Sequence, residues 1–118
     1  MFLTLVTMYP SLENEAKIVE VLDSMKGPVT TTADCQGVLS LVETGPVRSI
    51  CYMERWRTRA ALERHLRSAL FCRVLEAMEL SHQPPKIEFF DVTAIGGLEL
   101  VQQARICAPD GRGRGSVE

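Results

Sequence analysis

The chain has no Cys-x-x-Cys pair, no Gly-rich phosphate loop after a strand, and no apolar run near the roughly 18 residues that cross a bilayer. These absences argue against a zinc module of the common spacings, a dinucleotide fold and a membrane span. Basic charge is not in excess either: 13 Lys and Arg stand against 15 Asp and Glu, for a net charge of −2. A general nucleic-acid binder would show a basic face, and Arg112 and Arg114 among the glycines near the end supply too little charge for specific affinity. Cys35, Cys51, Cys72 and Cys107 are irregularly spaced and read as reduced thiols, with no metal site implied. The stretch Met1 to Tyr9 is apolar but lacks a basic leader and a small-residue cleavage site, so it reads as a strand, and a cytoplasmic location is expected.

What is present is ordinary globular material, 46% hydrophobic and 24% charged over 118 residues, enough for one core. Residues 1–107 are expected to form a single domain and 108–118 a disordered Gly/Arg/Ser tail. Phe2 to Tyr9 has high β-propensity and ends at Pro10-Ser11. Ser11 is placed to cap a helix in which Ile18, Val21, Leu22 and Met25 recur at helical spacing and which is expected to stop at Gly27-Pro28. Gly37 to Glu43 and Val47 to Trp56, joined through Thr44-Gly45-Pro46, read as an antiparallel hairpin. Thr58 caps the next helix, with Ala61, Leu62, His65 and Leu66 on one side, and Ser68 restarts a helix carrying Phe71, Val74, Leu75 and Met78. Pro84-Pro85 is expected to end it before a strand over Lys86 to Thr93, and Leu98 to Arg105 reads as a short terminal helix.

The order β-α-β-β-α-β is that of an α+β, ferredoxin-like subunit with a four-stranded antiparallel sheet. The first strand offers Phe2, Val6 and Met8 on one side and Leu3, Leu5 and Tyr9 on the other, so both sheet faces are apolar. One face meets the helices. The other is expected to meet a second copy, giving a homodimer whose packed sheets form a dimeric α/β barrel.

The hairpin's second strand alternates Ile50, Tyr52, Glu54 and Trp56 against Ser49, Cys51, Met53 and Arg55. If the following helix packs back on its strand, the first set faces inward with His65, gathering an imidazole, an indole, a phenol and a carboxylate around one cleft. On the residues alone, His65 reads first as a core histidine bonded to a backbone carbonyl, and Trp56 as a core anchor. Tyr52 and Tyr9 are each open between ligand donor and packing residue. An inward Glu54 needs a partner, for which Arg48, Arg57 or Lys86 are candidates. His82 sits in a polar turn, where no role is expected.

The stretch Tyr52-Met53-Glu54-Arg55-Trp56, followed by Ala60 to Ser68 with His65 and by Phe71, resembles the antibiotic biosynthesis monooxygenase family, and within it the small quinol monooxygenases. The likeness extends through Met78 to Ser81, Pro84-Pro85 and Gly97 to Leu100, over nearly residues 1 to 106. It implies a dimeric α/β barrel with a pocket between sheet and helices. An oxygenase of this kind with no cofactor motif is expected to take the electrons for O₂ from the substrate, a small quinol or polyphenol; the shared face and the likeness together cast His65 as the catalytic base, Trp56 as an apolar wall and Tyr52 as an orienting donor. Trp56, Tyr52, Glu54, Tyr9 and Phe71 would then contact the substrate. The haem-degrading branch fits less well, because strand one has no Asn, His65 stands where that branch has Trp, and Leu75 where it has a further His. The chain departs from its nearer relatives at Ala33 to Gly37, where they carry a Pro-Gly-Cys turn. The alternative from another class is a non-catalytic dimer that binds a small aromatic ligand in the same pocket.

Overall fold

Alternating side chains on four strands and apolar stripes on the first three helices are covered by one arrangement, helices on one face of a sheet. The computed structural model describes residues 1–106; Cys107 and the expected tail, 108–118, lie outside them. The elements run β1 (Phe2–Tyr9), α1 (Glu15–Thr30), β2 (Cys35–Val42), β3 (Ile50–Trp56), α2 (Arg59–Leu66), α3 (Ala69–Glu79), β4 (Gln83–Asp91) and α4 (Leu98–Ile106). The sheet is antiparallel throughout, with strand order β2-β3-β1-β4. This is the expected ferredoxin-like α+β subunit, its second helical connection broken in two at Arg67-Ser68.

Register assigns the faces. On β1 and β3 the pairs Phe2–Trp56, Thr4–Glu54, Val6–Tyr52 and Met8–Ile50 share the inner face. They pack with Ile18, Leu22, Met25 and Val29 of α1 and with Leu62, Phe71 and Val74 of the later helices as one buried core. Each large apolar side chain so enclosed contributes about 1.5–3 kcal/mol. The outer face carries Leu3, Leu5, Leu39, Leu41, Met53 and Phe90, and no buried residue lies among them.

Four local expectations are corrected. Ser11 is not the cap of α1: Asn14 occupies that position, while Ser11 forms the preceding turn by accepting the Asn14 N–H on Oγ at 3.2 Å. The helix also passes Pro28 and ends at Thr30, because Val29 is fully buried and the Thr31 and Thr32 hydroxyls bond the Pro28 carbonyl beyond the break. Pro84-Pro85 does not precede β4 but lies within it. There the ladder slips between Thr7–Lys86 and Tyr9–Gln83 on an edge strand, where a residue without an N–H is tolerated. Finally, β3 starts at Ile50, three residues later than expected, though the Glu43 N–H still bonds the Ser49 carbonyl.

The hydroxyl caps are as read: Thr58 Oγ1 accepts from Ala61 and Ser68 Oγ from Phe71, each holding a helix start. The divergent segment before β2 is a bulge. Asp34 adopts φ 67, and Gly37, at φ 152, lies under the Arg55 guanidinium, which a Cβ there would meet at 2.4 Å. The terminal helix α4 has no buried residue, and Leu98 and Ile106 are 71% and 80% exposed.

Candidate functional site

Placing a carboxylate on the inner face of a central strand demands donors, and the chain supplies three. Glu54, fully buried, accepts from the Tyr52 hydroxyl on Oε2 at 2.7 Å and from the Trp56 indole N–H on Oε1 at 3.2 Å. Its Oε2 also lies 2.9 Å from Nε2 of His65. Tyr52 and Trp56 flank Glu54 at i−2 and i+2 on one strand face, as the β period requires. His65 arrives from α2, which Thr58 starts just after β3 ends, so the helix folds back over its own strand.

The imidazole is held on its faces and edges as well. Its centroid is 4.8 Å from that of Trp56, with the rings tilted by 33°, and 5.5 Å from Phe71, which approaches at 82° in an edge geometry. Ser68 takes the His65 carbonyl at 2.6 Å, fixing the end of α2. Among the hydrogen bonds of the described residues this ring is engaged through Nε2 alone. Burial, and then the neighbouring Glu54 charge, push the Tyr52 phenol well above the ordinary tyrosine range, so it serves as a donor and not as a base.

Five of the six residues singled out in the sequence therefore meet: Tyr52, Glu54, Trp56, His65 and Phe71. Tyr9 does not. It stands at an odd position of β1, on the sheet face opposite Val6 and Met8, and its backbone is tied to Ser81 and His82. The partners suggested for Glu54 are engaged elsewhere: Arg48 forms a two-pronged pair with Glu15 at 2.9 and 2.6 Å, Arg57 pairs with Asp34, and Lys86 is on the outer face. His65 bonds a carboxylate where a backbone carbonyl was the plainer reading.

The five side chains fill their space instead of lining a cleft; His65, at 3%, is the least enclosed of the four that carry polar atoms. The open volume lies on the neighbouring side of α2, an open pocket of about 330 Å³ between α2 and the β1–β4 side of the sheet, lined by Phe2, Leu62, Leu66, Phe89 and Phe90 and by the charged Arg59, Glu63 and Asp91. Leu62 and Leu66 bracket His65 on α2, and Phe2 is the cross-strand partner of Trp56. A pocket between sheet and helices was expected from the resemblance, but around the clustered side chains and not along the next turn of α2. The signal for it was the Leu62/Leu66 pair at i, i+4 on the histidine's own helix.

Thr4 was missed. It is fully buried opposite Glu54, and its Oγ1 is the one buried side-chain polar atom without a partner among the described residues. Such a hydroxyl costs about 1–3 kcal/mol. A wider groove of about 740 Å³ along α1, lined by Leu12, Glu15, Val19 and Arg48, holds none of these groups. Among the described residues no cluster of His, Cys, Asp and Glu could hold a metal ion, and no helix is long and apolar enough to cross a membrane. Cys35, Cys51 and Cys72 are free thiols.

A ferredoxin-like sheet with a buried glutamate–histidine pair between sheet and helices defines an α+β domain with a candidate site on its inner face. The family described as antibiotic biosynthesis monooxygenase matches residues 1–77, and the chain belongs to it. None of the curated proteins matches. Among solved structures, Rv0793 of Mycobacterium tuberculosis is similar at 18% identity over 81% of this chain and 98% of that one, with a TM-score of 0.71. PA3566 of Pseudomonas aeruginosa is similar at 22% identity over 79% and 94%, TM-score 0.66. A Deinococcus radiodurans protein named after the same family follows at 16% identity over 82% and 97%, TM-score 0.73. At these identities the structural likeness carries the fold alone.

Proposed function

We propose that this chain is a monooxygenase that oxidises a small quinol or polyphenol with O₂, the substrate supplying the electrons and His65 acting as base. One observation carries the reading: the bond between His65 Nε2 and Glu54 Oε2. A carboxylate that accepts there puts the imidazole proton on Nε2 and leaves the Nδ1 lone pair to take a proton, while its charge steadies the imidazolium that results. Tyr52 and Trp56 keep the carboxylate from turning. Deprotonation of a quinol hydroxyl gives a phenolate able to pass an electron to O₂. One oxygen atom ends on the ring as a hydroxyquinone and the other leaves as water, so hydroquinone plus O₂ balances as hydroxyquinone plus H₂O.

The test is oxygen uptake by the purified protein over a panel of reduced quinols, with product mass after ¹⁸O₂. A rate above autoxidation with one labelled atom in the product is the expected result; a rate equal to autoxidation across the panel overturns the proposal. The enclosure of the five side chains favours one second reading, a non-catalytic protein that binds a small aromatic molecule in the cavity. It requires saturable thermal stabilisation by quinones with no oxygen consumed.

The same proposal takes the working unit to be a cytoplasmic homodimer, a location in keeping with the free thiols. Support comes from the outer sheet face, where Leu39, Leu41 and Phe90 are each at least two-fifths exposed, and from α4, which buries none of its apolar residues against its own subunit. Four strands spaced by about 4.8 Å and about eight residues long present roughly 500 Å² in plan. With α4 added, that approaches the roughly 800 Å² per partner of a stable interface. Light scattering at micromolar concentration should return twice the subunit mass. A well-folded species of 13.1 kDa removes the dimer.

A further inference from the structure

The helix α4 lacks a floor, and the pocket beside α2 lacks a roof. Along α4 the apolar Leu98 and Val101 share one stripe with Arg105, at i, i+3 and i+7, and the first two are 71% and 52% exposed. A helix of nine residues is marginal in water without a surface to pack on. It is not a slack end. Gly96 turns the chain at φ 156, the Glu99 carboxylate accepts the Gly97 N–H at 3.0 Å, and the Leu100 N–H bonds the Gly97 carbonyl at 2.9 Å. Upstream, Val92 extends the line of β4, its N–H on the Met1 carbonyl at 2.8 Å. The chain thus runs past the pocket, whose rim includes Asp91, and no residue of its own α4 lines it.

Phe89 lies on the inner face of β4 and Phe90 on the outer, and both line the pocket, so it reaches round the sheet edge onto the face that the proposed dimer covers. Arg59 is tied to Glu63 at 2.9 Å. Asp91, 72% exposed and met among the described residues only by the Met1 amine at 4.0 Å, is therefore the rim charge open to a cation. We infer that α4 of one copy lies across the pocket of the other, the partner's Leu98 and the partner's Val101 over Phe89 and Phe90 and the partner's Arg105 toward Asp91. A two-fold axis makes the contact reciprocal, so the bare helix and the open pocket are covered together. At about 14 Å the helix is long enough to bridge a pocket of about 330 Å³. The inference rests on the proposed homodimer, and it adds that the pocket is walled by both chains and incomplete in one.

Photocross-linking of the whole chain tests it, with p-benzoylphenylalanine in place of Val101 and equal parts of ¹⁵N-labelled and unlabelled protein. The expected product has twice the subunit mass, and its joined peptides carry both isotopes and map to residues 59–66 or 89–91. Val101→Asp, which removes no buried contact within the subunit, should raise the dimer dissociation constant by about tenfold or more, while Val101→Leu should leave it unchanged. Cross-links within one chain, or between chains at other segments, overturn the inference and leave the dimer standing. An unaltered dissociation constant in Val101→Asp does the same. A wild-type protein at subunit mass removes the dimer and this inference together.

Discussion

His65→Gln is expected to lower quinol-dependent oxygen uptake by about 100-fold or more, the range over which a positioned general base acts. Glutamine is the informative replacement because its side-chain N–H₂ ends near the place of the imidazole Nε2. It can still donate to Glu54 Oε2, which now receives that bond at 2.9 Å. The buried carboxylate thus keeps a partner and the fold its reason to stay closed, while the basic nitrogen is gone. His65→Ala is harsher, since it empties the space between Trp56 and Phe71 and leaves Glu54 short of a donor. A large loss in both variants, with Gln near wild-type stability, assigns the loss to the base. Equal rates in wild type and His65→Gln after subtraction of autoxidation remove His65 from the chemistry, whatever Ala does.

The means of assembling this pair was legible in the sequence because it depends on short-range rules. Alternation along Ile50, Tyr52, Glu54 and Trp56 names the inward face, and Thr58 starts the helix that returns His65 to it. What was not legible depends on where elements sit relative to one another. Glu54 has three arginines or lysines within plausible reach on paper, and only the docking of α2 shows that neutral donors and a histidine satisfy it. Tyr9 has the right chemistry but the wrong parity on its strand, a fact that matters only once Val6 is known to pair with Tyr52. Pro84-Pro85 signals a break wherever it occurs; that β4 lies at the sheet edge is what turns the break into a bulge. Thr4 looks like any β-former until its neighbours are fixed.

Glu54→Ala is expected to cost about 3–5 kcal/mol of folding stability, seen as a lower urea midpoint at an unchanged slope. The cost comes less from the lost carboxylate than from what it leaves behind: the Tyr52 hydroxyl, the Trp56 N–H and the His65 Nε2, all enclosed and all aimed at a vanished acceptor. Glu54→Gln should cost less, about 1–3 kcal/mol. Its one oxygen can serve Tyr52 and His65, and only its N–H₂ meets the indole N–H donor to donor. The order Ala below Gln below wild type is the signature of a carboxylate that organises its neighbours; a loss under about 1 kcal/mol for Ala would mean that they find other partners. The cluster is nonetheless a poor device for stability as such. Replacing it together with apolar groups, as Tyr52→Phe, Glu54→Leu and His65→Leu in one chain, should leave the fold about as stable as before, because the desolvation cost of the carboxylate disappears with its donors. Equal stability in that triple variant would agree with the proposed role of Glu54, which is to orient His65 and steady its charge; a large loss would make the cluster a structural device instead.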